Sequence, residues 1–343
     1  ANSFKGAAGL SLEQFSGMAS TQLGMLSVSQ FRNLTVDQVA AMTAEQSGQL
    51  TTTHMGSLTM PQVKAISVDT LLSLASTQFR ALSSQSIAAL TTTQFGALTA
   101  THIGTLSTTQ VKGLTLPEIS ALTSSQLAGL TAQQVSVLST RQVQSFSEDQ
   151  IQTFSPGQIR FFSGTSIGAT TTQFGALTAT HIGTLSTTQV KGLTLPEISA
   201  LTSSQLAGLT AQQVSVLSTR QVQSFSEDQI QTFSPGQIRF FSGTSIGAMT
   251  TTQIGALTAP QIANFSKAQI QGLTQTQTRY LNETQLGALN FSQIGQLTRT
   301  AVAALGAQQV ASLTADQFAS FSATQITSLN NEVISGLSET RIA

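Results

Sequence analysis

Leu98-Thr99-Ala100-Thr101-His102-Ile103-Gly104-Thr105 and Leu130-Thr131-Ala132-Gln133-Gln134-Val135-Ser136-Val137 are two renderings of one eight-residue phrase. Its consensus is Leu-Thr-x-x-Gln-Ile-x-Ala/Gly, and counting its positions from 1 to 8 supplies a frame for nearly all 343 residues. A large apolar residue stands at position 1 from Leu10 through Met18, Leu26 and Leu34 to Phe146, Phe154 and Phe162. After one defect the series resumes at Leu177 and runs to Leu337. Position 2 is Ser or Thr in 35 of the 41 octads and position 5 is Gln or Glu in 31, while position 6 is a sizeable apolar residue in all but Ser47 and Thr278. Regularity of this kind marks a tandem-repeat architecture.

The period separates the secondary structures that could carry it. In a continuous α-helix eight residues overshoot two turns by roughly 80°, so the apolar positions would spiral around the helix and leave no core face. In a continuous strand positions 1 and 6 point to opposite sides. A chain of very short helices, one per octad, accounts for all four defining positions. Ser/Thr-x-x-Gln/Glu is a capping box: the hydroxyl at the N-cap accepts from the N3 amide, and the N3 side chain accepts from the N-cap amide. Positions 1 and 6 are then N′ and N4, the pair that forms a hydrophobic staple.

The remaining residues agree. Pro61, Pro117, Pro196 and Pro260 fall at position 4 and Pro156 and Pro235 at position 3, the first helical residues, where a missing N–H leaves no bond unmade. Asn282, Asn290 and Asn330 are good substitute caps and Gly306 a tolerable one, leaving Ala19 and Ala75 as departures. The glycines gather at positions 7 and 8, where helices end. Thr35, Thr99, Thr131, Thr210 and Thr314 are therefore predicted helix caps, and Leu34, Leu98, Ile103, Leu130, Val135, Ile262 and Ile326 predicted core. Helices of about six residues do not hold alone in water; neighbour must stack on neighbour. The expected fold is an all-α solenoid, with a β-solenoid as the alternative that the Thr, Val and Ile content keeps open. The number of octads per superhelical turn is not set by the period.

In domain terms, residues 1–9 form an irregular lead-in and residues 10–343 a single octad-repeat solenoid. Thr91 to Ala169 recurs without change as Thr170 to Ala248. This block of 79 residues is one short of ten octads, which places a one-residue frame slip at 169/170, with no apolar residue ahead of the cap Thr170.

Composition removes several classes of function. Fourteen basic and fourteen acidic residues, 8% of the chain, give zero net charge, whereas phosphate neutralisation needs clustered Lys and Arg. No nucleic-acid partner is expected. Cys is absent, which excludes disulfides, thiolate metal sites and Cys nucleophiles. No apolar run is long enough to span a membrane. His54, His102 and His181 all replace the position-5 Gln and lie far apart, so a polar side chain at a helix start explains them better than metal ligation. The acids, among them Glu13, Asp37, Glu45, Asp69, Glu118 and Asp316, sit in first helical turns, where negative charge suits the helix dipole. Asn33, Asn264, Asn282 and Asn290 match the glycosylation pattern, as chance allows in a chain rich in Ser and Thr. Phe146, Phe154 and Phe162 fill the position-1 slot, leaving Phe161 as an extra aromatic. No catalytic, metal or cofactor-binding residue is expected, and no enzyme.

The phrase Leu-Thr-x-x-Gln-Val resembles the opening of the DNA-reading repeats of plant-pathogen effectors, but that likeness stops after six residues. The chain from Leu10 onward is more similar to giant, low-charge bacterial surface or secreted proteins built of tandem Leu-Thr-x-x-Gln-Ile/Val octads. The resemblance implies an extracellular or cell-surface structural protein, adhesin- or fibre-like. The expected function is an extracellular filament, stalk or matrix, with a spacer or binding segment of a large adhesin as the alternative. The expected partner is the chain itself, head to tail and laterally, with cell surface or matrix as a further one. Both ends read as cuts through a longer protein, and neither carries the polar cap that keeps a solenoid monomeric.

Overall fold

Each octad folds as one short helix. The computed structural model describes residues 7–167 and 170–337. Among them 41 α-helices of four to six residues, from Leu12–Ser16 to Asn331–Ser335, follow a 3-10 turn at Ala7–Gly9, and there is no strand. The β-solenoid alternative is thereby removed. The start of the predicted lead-in (residues 1–6), Ala169 at the frame slip, and residues 338–343 of the last octad lie outside the described residues.

Thr131 shows how an octad turns the chain. Its backbone is extended, φ −77° and ψ 160°, and the helix Ala132–Ser136 begins with the next residue. At the other end the final turn tightens: the Leu130 N–H donates to the Leu127 carbonyl at 3.1 Å. Leu130 itself is extended, φ −65° and ψ 127°, so it closes the helix Ser124–Gly129 and also precedes the next cap. One apolar residue thus serves as C-cap of one helix and N′ of the following one, and no separate loop is needed.

Contacts between helices establish the superhelical turn that the period left open. The helix Ala100–Thr105 packs on Ser124–Gly129, Ala179–Thr184 on Ser203–Gly208, and Gly243–Ala248 on Lys267–Gly272; within each of two compact units the helices in contact stand three apart in the chain. Three octads therefore make one turn. Two compact units, Ala1–Ala176 and Leu177–Ala343, are each built this way.

Inside each turn the staple residues form the core. Ile103 and Val135 at position 6 are 0% exposed, and Leu34, Leu98 and Leu130 at position 1, with Ile262 at position 6, are also buried. Position-1 side chains of successive octads touch: the Phe146 and Phe154 rings lie 5.2 Å apart and those of Phe154 and Phe162 5.1 Å apart, edge to face, a favourable aromatic geometry. Ile326 departs from the predicted core, being 37% exposed. Among the described residues only the helix Asn331–Ser335 follows Ala323–Ile326. Phe161 projects outward, half exposed.

The glycines act through their small size. Among the described residues none has positive φ, so they are not left-handed helix terminators. Several instead allow backbones to approach. A Cβ on Gly272 would collide with the Gly243 carbonyl, and one on Gly129 with that of Ala100, whereas a Cβ on Gly255 meets nothing within 4 Å. We expect Gly272→Ala to destabilise the second unit by about 1–3 kcal/mol through overpacking. Gly255→Ala should be neutral or stabilise by about 0.5–1 kcal/mol through helix propensity. Urea titrations of the two variants against the parent chain check the contrast, and equal effects would refute the close-approach reading.

Candidate functional site: the glutamine joint between turns

With helices this short, nearly every backbone polar group is an end group lacking a partner within its own helix. Position 5 resolves this at both ends. Gln134 is 2% exposed. Its Oε1 accepts from the Thr131 N–H at 2.7 Å, and its own N–H donates to Thr131 Oγ1 at 3.3 Å, which completes the capping box. Its Nε2 donates to the Ile103 and Leu106 carbonyls, at 2.7 and 2.8 Å, on the preceding turn. The acceptors lie 31 and 28 residues back, at positions 6 and 1. The bond to position 1 recurs in both units, from Gln62 to Leu34 at 2.8 Å, from Gln261 to Phe233 at 2.7 Å and from Gln325 to Leu297 at 2.6 Å, while the second acceptor is at position 6 for Gln261 (Ile230, 2.8 Å) and at position 7 for Gln62 (Arg32, 3.0 Å) and Gln325 (Gly295, 3.2 Å). The first described residues take part too, since Gln38 Nε2 donates to the Ala7 and Leu10 carbonyls at 2.9 Å.

The Nε2 half of this joint is what sequence reasoning missed. A signal for it exists: of the 31 octads with Gln or Glu at position 5, all but Glu118 and Glu197 have Gln. A capping box needs only an acceptor at N3 and takes Glu as readily. The preference for the amide therefore reports the N–H donors.

All five predicted caps are N-cap residues whose hydroxyls accept from the N3 amide: Thr35 from Gln38 at 3.1 Å, Thr99 from His102, Thr131 from Gln134 and Thr210 from Gln213 at 3.3 Å, and Thr314 from Gln317 at 3.2 Å. Where the cap has no side-chain acceptor only the return bond is made, from the Ala75 N–H to Gln78 Oε1 and from the Gly306 N–H to Gln309 Oε1, both at 2.8 Å. Asn282 and Asn290, from the glycosylation matches, cap with Oδ1, accepting from Gln285 and Gln293 at 2.8 and 2.9 Å.

Other position-5 residues reproduce the joint in part. His54 Nδ1 accepts from the Thr51 N–H at 3.3 Å, and Nε2 lies 2.7 Å from the Leu26 carbonyl. These partners require the tautomer with its proton on Nε2. His102 and His181 accept at Nδ1 from Thr99 and Thr178, both at 3.2 Å. The three histidines thus sit in three separate joints. No group of His, Asp or Glu able to hold a metal ion occurs among the described residues. Thr70 reaches the Met42 carbonyl with its hydroxyl at 2.9 Å.

Beside the frame slip the joint survives and the cap is altered. Gln173 Nε2 donates to the Val143 and Phe146 carbonyls at 2.9 and 2.6 Å, reaching the usual positions 6 and 1 although they are now 30 and 27 residues back. Thr170, without an apolar residue before it, swings to φ −145°, and its hydroxyl still accepts from the Gln173 N–H. Gln173 Oε1 is buried with no hydrogen-bond partner, so the return half of the box is lost.

Glu118 is the charged exception. Its Oε2 accepts from the Thr115 N–H at 2.7 Å and Oγ1–H at 2.8 Å, while Oε1 is buried with no partner. Burial pushes the carboxyl above its usual range, against the opposing effect of the two Thr115 bonds. Glu197, the copy in the second block, is 2% exposed with Oε1 likewise unpartnered.

A family model described as the ALTTAQ repeat matches residues 63–108, and this part of the chain is similar to that family. The match includes Ala89-Leu90-Thr91-Thr92-Thr93-Gln94, which runs from the end of one helix through N′ and cap to the joint residue. No curated protein matches the chain. Repeat, caps and stacking together define a tandem-repeat protein with a solenoid of short helices. No helix among the described residues is long and apolar enough to cross a membrane.

Two substitutions rank the parts of the joint. Thr131→Ala should cost about 1 kcal/mol, as for other N-caps. Gln269→Leu, at a 0% exposed residue bonded to the Ile238 and Phe241 carbonyls, orphans buried acceptors at about 1–3 kcal/mol each. Hydrogen exchange should show Gln269→Leu opening two successive turns and Thr131→Ala only its own octad; the reverse order would remove Gln from the central role. In the same assay Leu130→Asp should open the stack and Gln133→Asp, at an exposed residue, should not.

Proposed function

We propose that the chain is a structural protein, not an enzyme, which forms or contributes to an extracellular filament, stalk or matrix by stacking capped octad helices. The observation that carries this reading is the recurrence of one joint from turn to turn. Turn after turn, the carbonyls of position 1 and of position 6 or 7 receive Nε2 donors from position 5 of the turn that follows. A surface that is donor on one side and acceptor on the other is complementary to a copy of itself, and such heterologous contacts propagate without closing. Self-association head to tail follows from that chemistry. Lateral association is favoured by zero net charge, which leaves no long-range repulsion between neighbours.

An outward surface of Ser, Thr and Gln also supports a structural role, because ligand recognition would call for a varied set of side chains at one place. The location outside the cell or at its surface, and partners in the matrix or on the cell surface, rest on the resemblance to giant octad proteins. No nucleic-acid or cofactor partner belongs to this reading. The second reading, a spacer or binding segment of a large adhesin, draws on the same joint, which adds length by adding octads without new contacts.

Electron microscopy of the purified chain at low and high salt tests the proposal. Filaments or bundles are expected under both conditions, since few charges are present to be screened. Monodisperse short particles at both salt concentrations would overturn self-assembly and leave the spacer. Filaments that dissolve in salt would show ion pairs where the proposal has amide and apolar contacts.

A further inference from the structure

We propose that the joint at Glu118 is a proton-operated version of the Gln joint, bonded to the preceding turn when the carboxyl is neutral and unbonded when it is charged. The flanking octads give the geometry. Gln110 Nε2 donates to the Leu82 carbonyl at 2.7 Å and Gln126 Nε2 to that of Leu98 at 2.9 Å, each 28 residues back; the second acceptor of Gln126 is Phe95, 31 residues back at 2.9 Å, and Gln110 is shared between Arg80 at 3.2 Å and Phe79 at 3.5 Å. The same register puts the Leu90 and Ile87 carbonyls opposite Glu118. Its Oε2 does what the Gln Oε1 does, holding the Thr115 N–H. Oε1 therefore stands in the place of the Nε2, buried and unpartnered.

A carboxylate oxygen in that place adds one more acceptor opposite carbonyl acceptors. No hydrogen bond forms, and the like partial charges repel. Protonation on Oε1 supplies the missing donor, and the O–H then donates to one of the two carbonyls as an amide N–H would. No other charge competes at close range. The helices on the carbonyl side, Ser84–Ile87 and Thr92–Ala97, carry no charged residue, and neither does Ser124–Gly129. Thr140–Gln144, which packs on the Glu118 helix Leu116–Ser120, carries Arg141, and the preceding helix Thr108–Gly113 carries Lys112; both side chains are exposed.

The sign follows from linkage. A carboxyl whose value is raised in the folded chain contributes stability below its ordinary value of 4.5 and loses it as pH rises through the raised value. This turn is therefore tightest in acid and loosens toward neutrality.

The test is hydrogen exchange of the full chain against Glu118→Gln, each corrected for intrinsic exchange, from pH 4 to pH 8. The segment Leu82–Leu90 occurs once in the sequence, so peptides from it report on the Glu118 partners without interference from the Glu197 copy. At pH 8 this segment should exchange about tenfold more slowly in Glu118→Gln, the effect of one regained hydrogen bond, and the difference should vanish at pH 4. As a gain-of-function control, Gln285→Glu should install the same pH dependence at Ile254–Leu257, the segment that holds its acceptors outside the duplicated block. A ratio between parent and Glu118→Gln that stays constant with pH, or weaker protection in Glu118→Gln at pH 8, would overturn the proposal. So would addition of Na+, K+ or Ca2+ that closes the parent joint at pH 8, since a cation and not a proton would then be the bridging species.

Discussion

A primary amide has an acceptor at one end and two donors at the other, and this fold depends on both being used at once. In a helix of five residues the unsatisfied N–H groups of the first turn and C=O groups of the last are nearly the whole backbone. The position-5 Gln meets the first need in its own helix and the second on the preceding turn, and it does so while buried. The rigid eight-residue period follows. Only when three octads bring the chain around to the same place does the amide land on the position-1 carbonyl and on that of position 6 or 7. The staple residues then fill the space that the amides frame, which is why apolar positions 1 and 6 are nearly invariant in type while positions 3 and 4 drift.

The exceptions show what the constraint demands. It asks for an acceptor toward the cap and a donor toward the previous turn, and any side chain that supplies them suffices. The His54 imidazole does so with its two ring nitrogens. The Thr70 hydroxyl does so over a shorter reach. At Gln173, one residue fewer in the chain is absorbed by the cap backbone and the donor bonds are kept. The bond between turns thus persists where the cap is altered.

Helix, cap and staple were legible in the sequence because each is local: Thr131, Gln134 and Val135 lie within five residues of one another and obey known helix-start chemistry. The link between turns was not, because it joins residues 28 and 31 apart, and that distance has meaning only once the number of octads per turn is known. The prevalence of Gln over Glu at position 5 was the one readable trace of it. Ile326 was misplaced in the core because burial at position 6 is set by the neighbouring octads, which its own octad does not encode. The glycines at positions 7 and 8 were plain in the sequence, but the helices they admit were not, since Gly129 and Gly272 answer to helices three octads away.

The direction of the joint has a consequence for how such a chain acquires its structure. Every Nε2 bond described above runs from a Gln to carbonyls nearer the N-terminus, never the reverse. A chain that emerges N-terminus first, from a ribosome or through a secretion pore, therefore meets each new amide with its acceptors already outside. Ordering can advance octad by octad behind the exit point, with loop closures of about thirty residues and none longer, a regime in which search is fast. Unfinished chains would hold one uncommitted turn at a time, however many octads the gene encodes. For a protein assembled from dozens of nearly identical segments, that polarity limits the opportunity for an amide to pair with the wrong turn.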